Sequence, residues 1–274
     1  MKKILLLALP LMVMCFASCE KSENSTPGDE WKDSWTDDSP IIQFKDPKFL
    51  NALLEITYSD GYYPIVPIDR NGDGQITEKE ASVTTEIMLY ETGIRNMDEI
   101  KYFISLTYLS LEGNELTSLD LSNNIALTHL IFGGTQISTL DVSKNTALKE
   151  LVCGNSQLTA LDLSNNTALE YLSCHGNQLT AFDVGNNLSL AELYCGENQL
   201  TSLDVSKNTA LTRLDCSNNQ LKTLDLSKNT SLTFLSCSNN SSLNKIVLYK
   251  YHIIEDECLQ DIIEEYGDII EYVE

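Results

Sequence analysis

The stretch DRNGDGQITEKE, residues 69–80, sets oxygen-bearing side chains at alternating positions around a glycine-punctuated turn. Asp69, Asn71 and Asp73 come first, the Gln75 carbonyl and Thr77 follow, Glu80 closes the set, and Gly74 stands where the chain must bend. Oxygen donors at this spacing suit a hard cation, and calcium above others. A metal-free acidic turn is the plainer alternative. Two further columns of reactive residue types recur every 21 positions. One is cysteine, at Cys153, Cys174, Cys195, Cys216 and Cys237; the other is aspartate, at Asp120, Asp141, Asp162, Asp183, Asp204 and Asp225. His129, His175 and His252 fall in unrelated positions, and no nucleophile elbow, phosphate loop or metal-spaced histidine pair occurs. The sequence therefore reads as that of a protein that is not an enzyme.

The elements that position these residues come from a repeat. Leucine recurs at 106, 127, 148, 169, 190, 211 and 232, always 21 residues apart. Each copy reads L-x-x-L-x-(L/F/C)-x-x-N and then (L/I)-x-x-(L/F)-D-(L/V)-S-x-N. A fixed period of this size implies a solenoid. The alternation predicts two short parallel strands per turn, each with one buried face. An upstream copy with Ile87, Leu89, Ile94 and Met97 fits at spacing 22, and a downstream one with Leu243, Ile246 and Leu248 is slipped by one residue.

The cysteines share a slot with Leu111 and Phe132, so they read as buried apolar residues. Stacked strands lie ~4.8 Å apart, whereas a disulfide wants Cβ atoms ~3.8 Å apart. A straight column also cannot gather thiolates tetrahedrally around zinc. The asparagines at 124, 145, 166, 187, 208 and 229 fall at the bend after the second strand, where an amide can pair with backbone groups left over by the turn. The aspartates point outward between two apolar residues. They form either a solvated ladder or a strip for divalent ions or a basic partner.

With these residues in view, the chain resembles the leucine-rich repeats over about residues 83–248, specifically the nested 21-residue (IRREKO-like) class of bacterial surface proteins. Residues 69–80 resemble an EF-hand loop, although Pro64 and Pro67 preclude a regular entering helix and no second loop is present to pair with. The implied site is a structural, weak calcium site of ~0.1–1 mM affinity. The resemblance implies a β-rich solenoid with helical caps at both ends and a calcium loop in the N-terminal cap. DPKFLNALL, residues 46–54, predicts a short amphipathic helix that plugs one end of the core, and residues 255–266 predict another at the far end, with IIEYVE as an edge strand.

The N-terminal residues concern location. Lys2 and Lys3 precede an apolar run from Ile4 to Met14 and then Phe16-Ala17-Ser18-Cys19, the order of an export signal. The ending resembles a lipobox, which implies lipidation at Cys19 and anchoring to the outer membrane or cell surface of a bacterium. The expected organisation is a signal peptide at 1–18, a lipidated flexible tether at 19–40, an N-terminal cap at 41–84, the solenoid at 85–248 and a C-terminal cap at 249–274. The formal net charge is −22. Removing residues 1–18 takes two lysines from 18 basic residues, leaving 16 against 40 acidic ones, or −24. Such a surface excludes nucleic acid as a partner.

The positions free to vary lie outward on the first strand. One row reads Tyr108, His129, Glu150, Tyr171, Glu192, Arg213 and Phe234; its neighbour reads Ser110, Ile131, Val152, Ser173, Tyr194, Asp215 and Ser236. Stacking would lay them on one face ~29 Å long. Aromatics and arginine most often anchor interfaces, so a protein or glycan ligand is expected on Tyr108, His129, Glu150, Tyr171, Glu192, Tyr194, Arg213 and Phe234 of a monomer. A structural spacer and a calcium-dependent adhesin using the aspartates are the competing readings.

Overall fold

A computed structural model describes residues 37–55, 67–250 and 266–274. Cys19, the export segment and nearly all of the tether lie outside the described residues, as do His252, Pro64 and most of the helix expected over 255–266. Among the described residues no helix is long and apolar enough to cross a membrane.

Eight parallel strands stack in one sheet, one per turn: β1 (Glu86–Met88), β2 (Tyr108–Ser110), β3 (His129–Ile131), β4 (Glu150–Val152), β5 (Tyr171–Ser173), β6 (Glu192–Tyr194), β7 (Arg213–Asp215) and β9 (Phe234–Ser236). In the middle of each strand from β2 onward a leucine points inward, at 109, 130, 151, 172, 193, 214 and 235, and all are buried. Full burial of one such side chain stabilises by ~1.5–3 kcal/mol. The column after it holds Leu111, Phe132 and the five cysteines, each without solvent exposure. The five are free thiols.

The second strand expected in each turn becomes a ladder at one place. There β8 (Thr223–Asp225) pairs with β10 (Lys245–Tyr249), which pairs in turn with β11 (Ile270–Val273), all parallel. In the turns before it the inward residues Leu121, Val142, Leu163, Val184 and Val205 are buried as expected, but the segment carries no regular strand. Its backbone bonds go elsewhere. The Ser122 amide donates to Asp120 Oδ1 at 3.0 Å, and the Leu121 carbonyl accepts from the Asn145 side chain at 3.2 Å and from the Asn124 amide at 3.0 Å. Side chains and a tight turn thus take the bonds that a neighbouring strand would have supplied.

Two asparagine columns stitch the turns. In the expected one, Asn187 Nδ2 donates to Leu163 O at 3.2 Å and Asn166 O at 2.7 Å, and Asn145, Asn166, Asn208 and Asn229 repeat the pattern. A second column follows the first strand. Asn198 Nδ2 donates to Cys174 O at 3.0 Å, and its Oδ1 accepts from the Leu179 amide at 3.0 Å. Between strand and amide the chain bends through a left-handed residue, at Gly113, Gly134, Asn155, Gly176, Glu197, Asn218 and Asn239, where φ lies between 52° and 73°.

At the N-terminal end, α1 (Pro47–Leu54) starts with Asp46 accepting from the Lys48 amide at 3.0 Å. Asp46 also accepts from the amides of Arg95 at 2.7 Å and Asn96 at 3.2 Å, which ties the helix to the first turn. Burial opposes ionisation there, yet those amides hold the Asp46 carboxyl below its ordinary range. Phe49 is fully buried, 6.3 Å from the Phe103 ring. The second helix, α2 (Glu78–Ser82), leaves the acidic loop.

Candidate functional site

The in-register ladder aligns the first outward row as expected: Tyr108, His129, Glu150, Tyr171, Glu192, Arg213 and Phe234 are successive partners. The same ladder aligns Ser110, Ile131, Val152, Ser173, Tyr194, Asp215 and Ser236. No member of the first row stands free in solvent; each is partly buried.

The row condenses into two groups. Toward the N-terminal side the Tyr108 and His129 rings lie 5.7 Å apart, and His129 Nε2 is 3.9 Å from Glu150 Oε2. Toward the C-terminal side Tyr171 and Tyr194 lie 5.5 Å apart. Tyr194 Oη donates to Glu192 at 2.8 Å and accepts from Arg213 Nε at 2.9 Å. The Arg213 guanidinium then covers the Phe234 ring at 4.5 Å. Partial burial, and then the negative charges nearby, move the titrating groups. Burial pushes the Tyr171 hydroxyl up to about 12, with Tyr194 and Glu192 adding to it. Tyr108 and Tyr194 rise for the same first reason, and burial also lifts Glu150 above the usual carboxylate range while His129 opposes it. The face is thus a partly desolvated aromatic and acidic platform, which suits binding.

The acidic loop is folded back on itself. Asp69 accepts from the amides of Gly72 at 2.7 Å, Asp73 at 3.2 Å and Gly74 at 2.9 Å, Asn71 accepts from Asp73, and Asp73 accepts from Gln75. Gly74 has φ +79°, the left-handed bend that the sixth position requires. Glu80 is fully buried and accepts from the amides of Arg70 at 2.8 Å and Thr77 at 2.9 Å, completing a capping box for α2. The donors are all oxygen and so match a hard cation chemically. With these oxygens turned to loop amides, no group of three acidic, histidine or cysteine side chains among the described residues is arranged to hold a metal. One partner was invisible in the sequence. Residues 40–42 lie antiparallel to the loop, with Ile42 N donating to Ile76 O and Glu78 N to Pro40 O, both at 2.9 Å, and Thr77 Oγ1 bonds Asp37.

The aspartate column is exposed as expected, and one oxygen of each carboxylate is held by a nearby amide. Asp120, Asp141, Asp162, Asp204 and Asp225 each accept from the amide of the serine two residues on at 2.9–3.0 Å, and Asp183 accepts from Gly185 at 2.7 Å. His175 lies between Ser173 Oγ at 3.0 Å and Asn155 Nδ2 at 2.9 Å. Assigning the Asn155 amide as donor to Nε2 puts the ring proton on Nδ1, which leaves no lone pair to take a proton from Ser173.

This architecture has counterparts among solved structures. The chain is similar to the functional domain of InlJ from Listeria monocytogenes, a domain that includes a cysteine ladder, with TM-score 0.57 and 31% identity over 75% of this chain and 50% of that one. It is similar in fold to a leucine-rich-repeat protein of Leptospira interrogans, with TM-score 0.51 and 24% identity over 66% of this chain and 52% of that one. Internalin C2 of Listeria monocytogenes superposes with TM-score 0.59 and 23% identity, over 75% of this chain and 94% of that one. The fold is a leucine-rich-repeat solenoid. Neither a protein-family model nor a curated sequence matches the chain. The chain spans about half the length of the first two structures. In this solenoid the five buried cysteines stand one turn apart.

Three features of the leucine-rich-repeat solenoid escaped sequence reasoning. The second asparagine column was written in the repeat as the N closing its first half, but only the structure gives it a role. The left-handed column mixes Gly, Asn and Glu and so carries no single-letter signature. The Arg213–Tyr194–Glu192 network needs both the register and the side-chain reach.

Proposed function

We propose that this protein is a non-enzymatic, surface-displayed binding protein, lipid-anchored through Cys19 to the outer membrane or cell surface of a bacterium, whose protein or glycan partner docks on the outward face of β2 to β7 and β9. The carrying observation is the aligned row from Tyr108 to Phe234. It places three aromatic residues, an arginine and two glutamates on one continuous ladder, held by one another before any ligand arrives. Preorganised aromatics lose little conformational entropy on binding. A spacer needs only its repeated core, and the first strand departs from that uniformity. The nested 21-residue repeat and the order of residues 1–19 support the bacterial-surface reading. The test is a pull-down and a glycan array with the chain, followed by replacement of Tyr171, Tyr194 and Phe234 with alanine. Binding should fall by more than tenfold, ~1.4 kcal/mol, with an unchanged circular dichroism spectrum. Loss of binding on replacing Asp162 and Asp204 instead, or on adding EDTA, would favour the calcium-dependent adhesin that uses the aspartate ladder.

We infer further that residues 69–80 take calcium as a structural ion. The support is the all-oxygen donor set of Asp69, Asn71, Asp73, Gln75, Thr77 and Glu80 and the left-handed turn at Gly74. Terbium luminescence or calorimetry showing no binding at millimolar calcium would remove this part of the reading.

A further inference from the structure

Glu150 and Glu192 occupy the same outward row two turns apart. Around Glu192 the chain supplies its own cation. Arg213 Nε lies 3.9 Å from the Glu192 carboxylate and 2.9 Å from Tyr194 Oη, and its guanidinium covers Phe234. Glu150 has a comparable setting of aromatic neighbours. Tyr171 is its register partner on one side and His129 on the other, with Tyr108 stacked on His129. No lysine or arginine of the described residues reaches it. Among the described residues its one ion-pair contact is His129 Nε2 at 3.9 Å, and the adjacent Lys149 pairs with Glu170 at 3.3 Å. Glu150 is also half-buried, its side chain only 28% exposed.

Resting on the binding reading above, we propose that Glu150, walled by Tyr171 on one side and by His129 and Tyr108 on the other, is a socket for one lysine or arginine side chain of a protein partner. Ring faces attract cations, and a partly desolvated carboxylate forms its strongest bonds with an ammonium or guanidinium donor. Charge complementarity selects the same occupant. The chain carries −22 overall, and Glu86, Glu192 and Asp215 lie on the same sheet face, so a basic protein surface is drawn in and an acidic one repelled. A neutral sugar would cover Glu150 without compensating its charge, which costs free energy in a partly buried site.

The test pans a random heptapeptide library on the full chain and measures the enriched peptides by fluorescence anisotropy. Enriched peptides should carry lysine or arginine. Glu150→Gln, a change of equal shape, should weaken them at least tenfold while keeping the wild-type melting temperature. Replacing the peptide's lysine by acetyl-lysine should cost as much against the wild type and nothing further against Glu150→Gln. The idea is overturned if the enriched peptides lack basic residues, if none is enriched, or if the two changes weaken binding additively. Tyr194→Ala and Phe234→Ala separate this from the broader reading. Peptides that lose binding to those variants and keep it with Glu150→Gln sink the socket and leave the face. Peptides indifferent to all the variants sink both. A glycan that binds through Tyr194 while no peptide is enriched replaces the protein partner with a sugar.

Discussion

Ile42 donates its backbone N–H to the carbonyl of Ile76 at 2.9 Å. Ile76 is the inward residue of the acidic loop and is fully buried, and Ile42 is nearly so. The bond therefore ties the loop to the chain that enters the solenoid, and through Ile42 to the apolar core. If calcium fixes the loop, it fixes this junction too. Saturating calcium should raise the melting temperature, by ~2.7 kcal/mol of stabilisation at 100 times the dissociation constant. Scanning calorimetry with and without the ion measures it. Glu80→Gln should abolish the shift, and a shift unchanged in that variant would assign the ion elsewhere.

The asparagine columns predict a sharp loss on truncation. Asn187→Ala removes both Nδ2 donors and leaves the buried carbonyls of Leu163 and Asn166 short of a bond. Each carbonyl keeps one backbone donor, from the Asn166 and Leu169 amides respectively, so two net hydrogen bonds of ~0.5–1.5 kcal/mol each are lost and the variant should lose about 1–3 kcal/mol in a urea melt. A loss below ~0.5 kcal/mol would mean that the turn holds without the amide.

The aspartate column predicts a pH dependence of defined sign. The Ser122 amide and hydroxyl hold the Asp120 carboxyl below its ordinary range, and Asp141, Asp162 and Asp204 are lowered by Ser143, Ser164 and Ser206 in the same way. A depressed carboxyl contributes stability that is complete above the unfolded value of ~3.9 and is lost as pH falls through the folded value. The column's contribution to stability should therefore be flat from pH 7 to about 5 and decline below about 4. Asp162→Asn keeps an acceptor for the Ser164 amide and should reduce the acid slope while leaving the fold unchanged at pH 7. A slope equal to that of the wild type would show that this carboxyl does not contribute.

The thiols should be silent in the native state. Burial pushes Cys174 up to about 12 and moves Cys153, Cys195 and Cys216 well above the ordinary thiol value. The thiolate is the reactive form. Labelling of the four and of Cys237, which is buried in the same column, at pH 8 without denaturant should proceed only at the rate of unfolding and become complete in guanidinium. Rapid native labelling detected by mass spectrometry would contradict the buried column.

The repeat determined the most. Identical 21-residue spacing forces identical turns, so the parallel stack, the buried leucine and cysteine columns and the two outward rows follow from residue type and period alone. Tertiary structure decided what repetition leaves free. Whether the second segment forms a ladder depends on which backbone groups the aspartate and asparagine side chains claim first, and only from β8 onward does a neighbouring strand claim them. Whether Arg213 reaches Tyr194, Glu192 and Phe234 depends on side-chain direction across a register that brings residues 19 to 21 positions apart into contact. Residues 40–42 meet the acidic loop across more than 30 positions of chain, a contact without periodicity and hence without a sequence signal. Local pattern encodes what each turn does to itself and its copies; contacts that break the period exist only once the chain has folded.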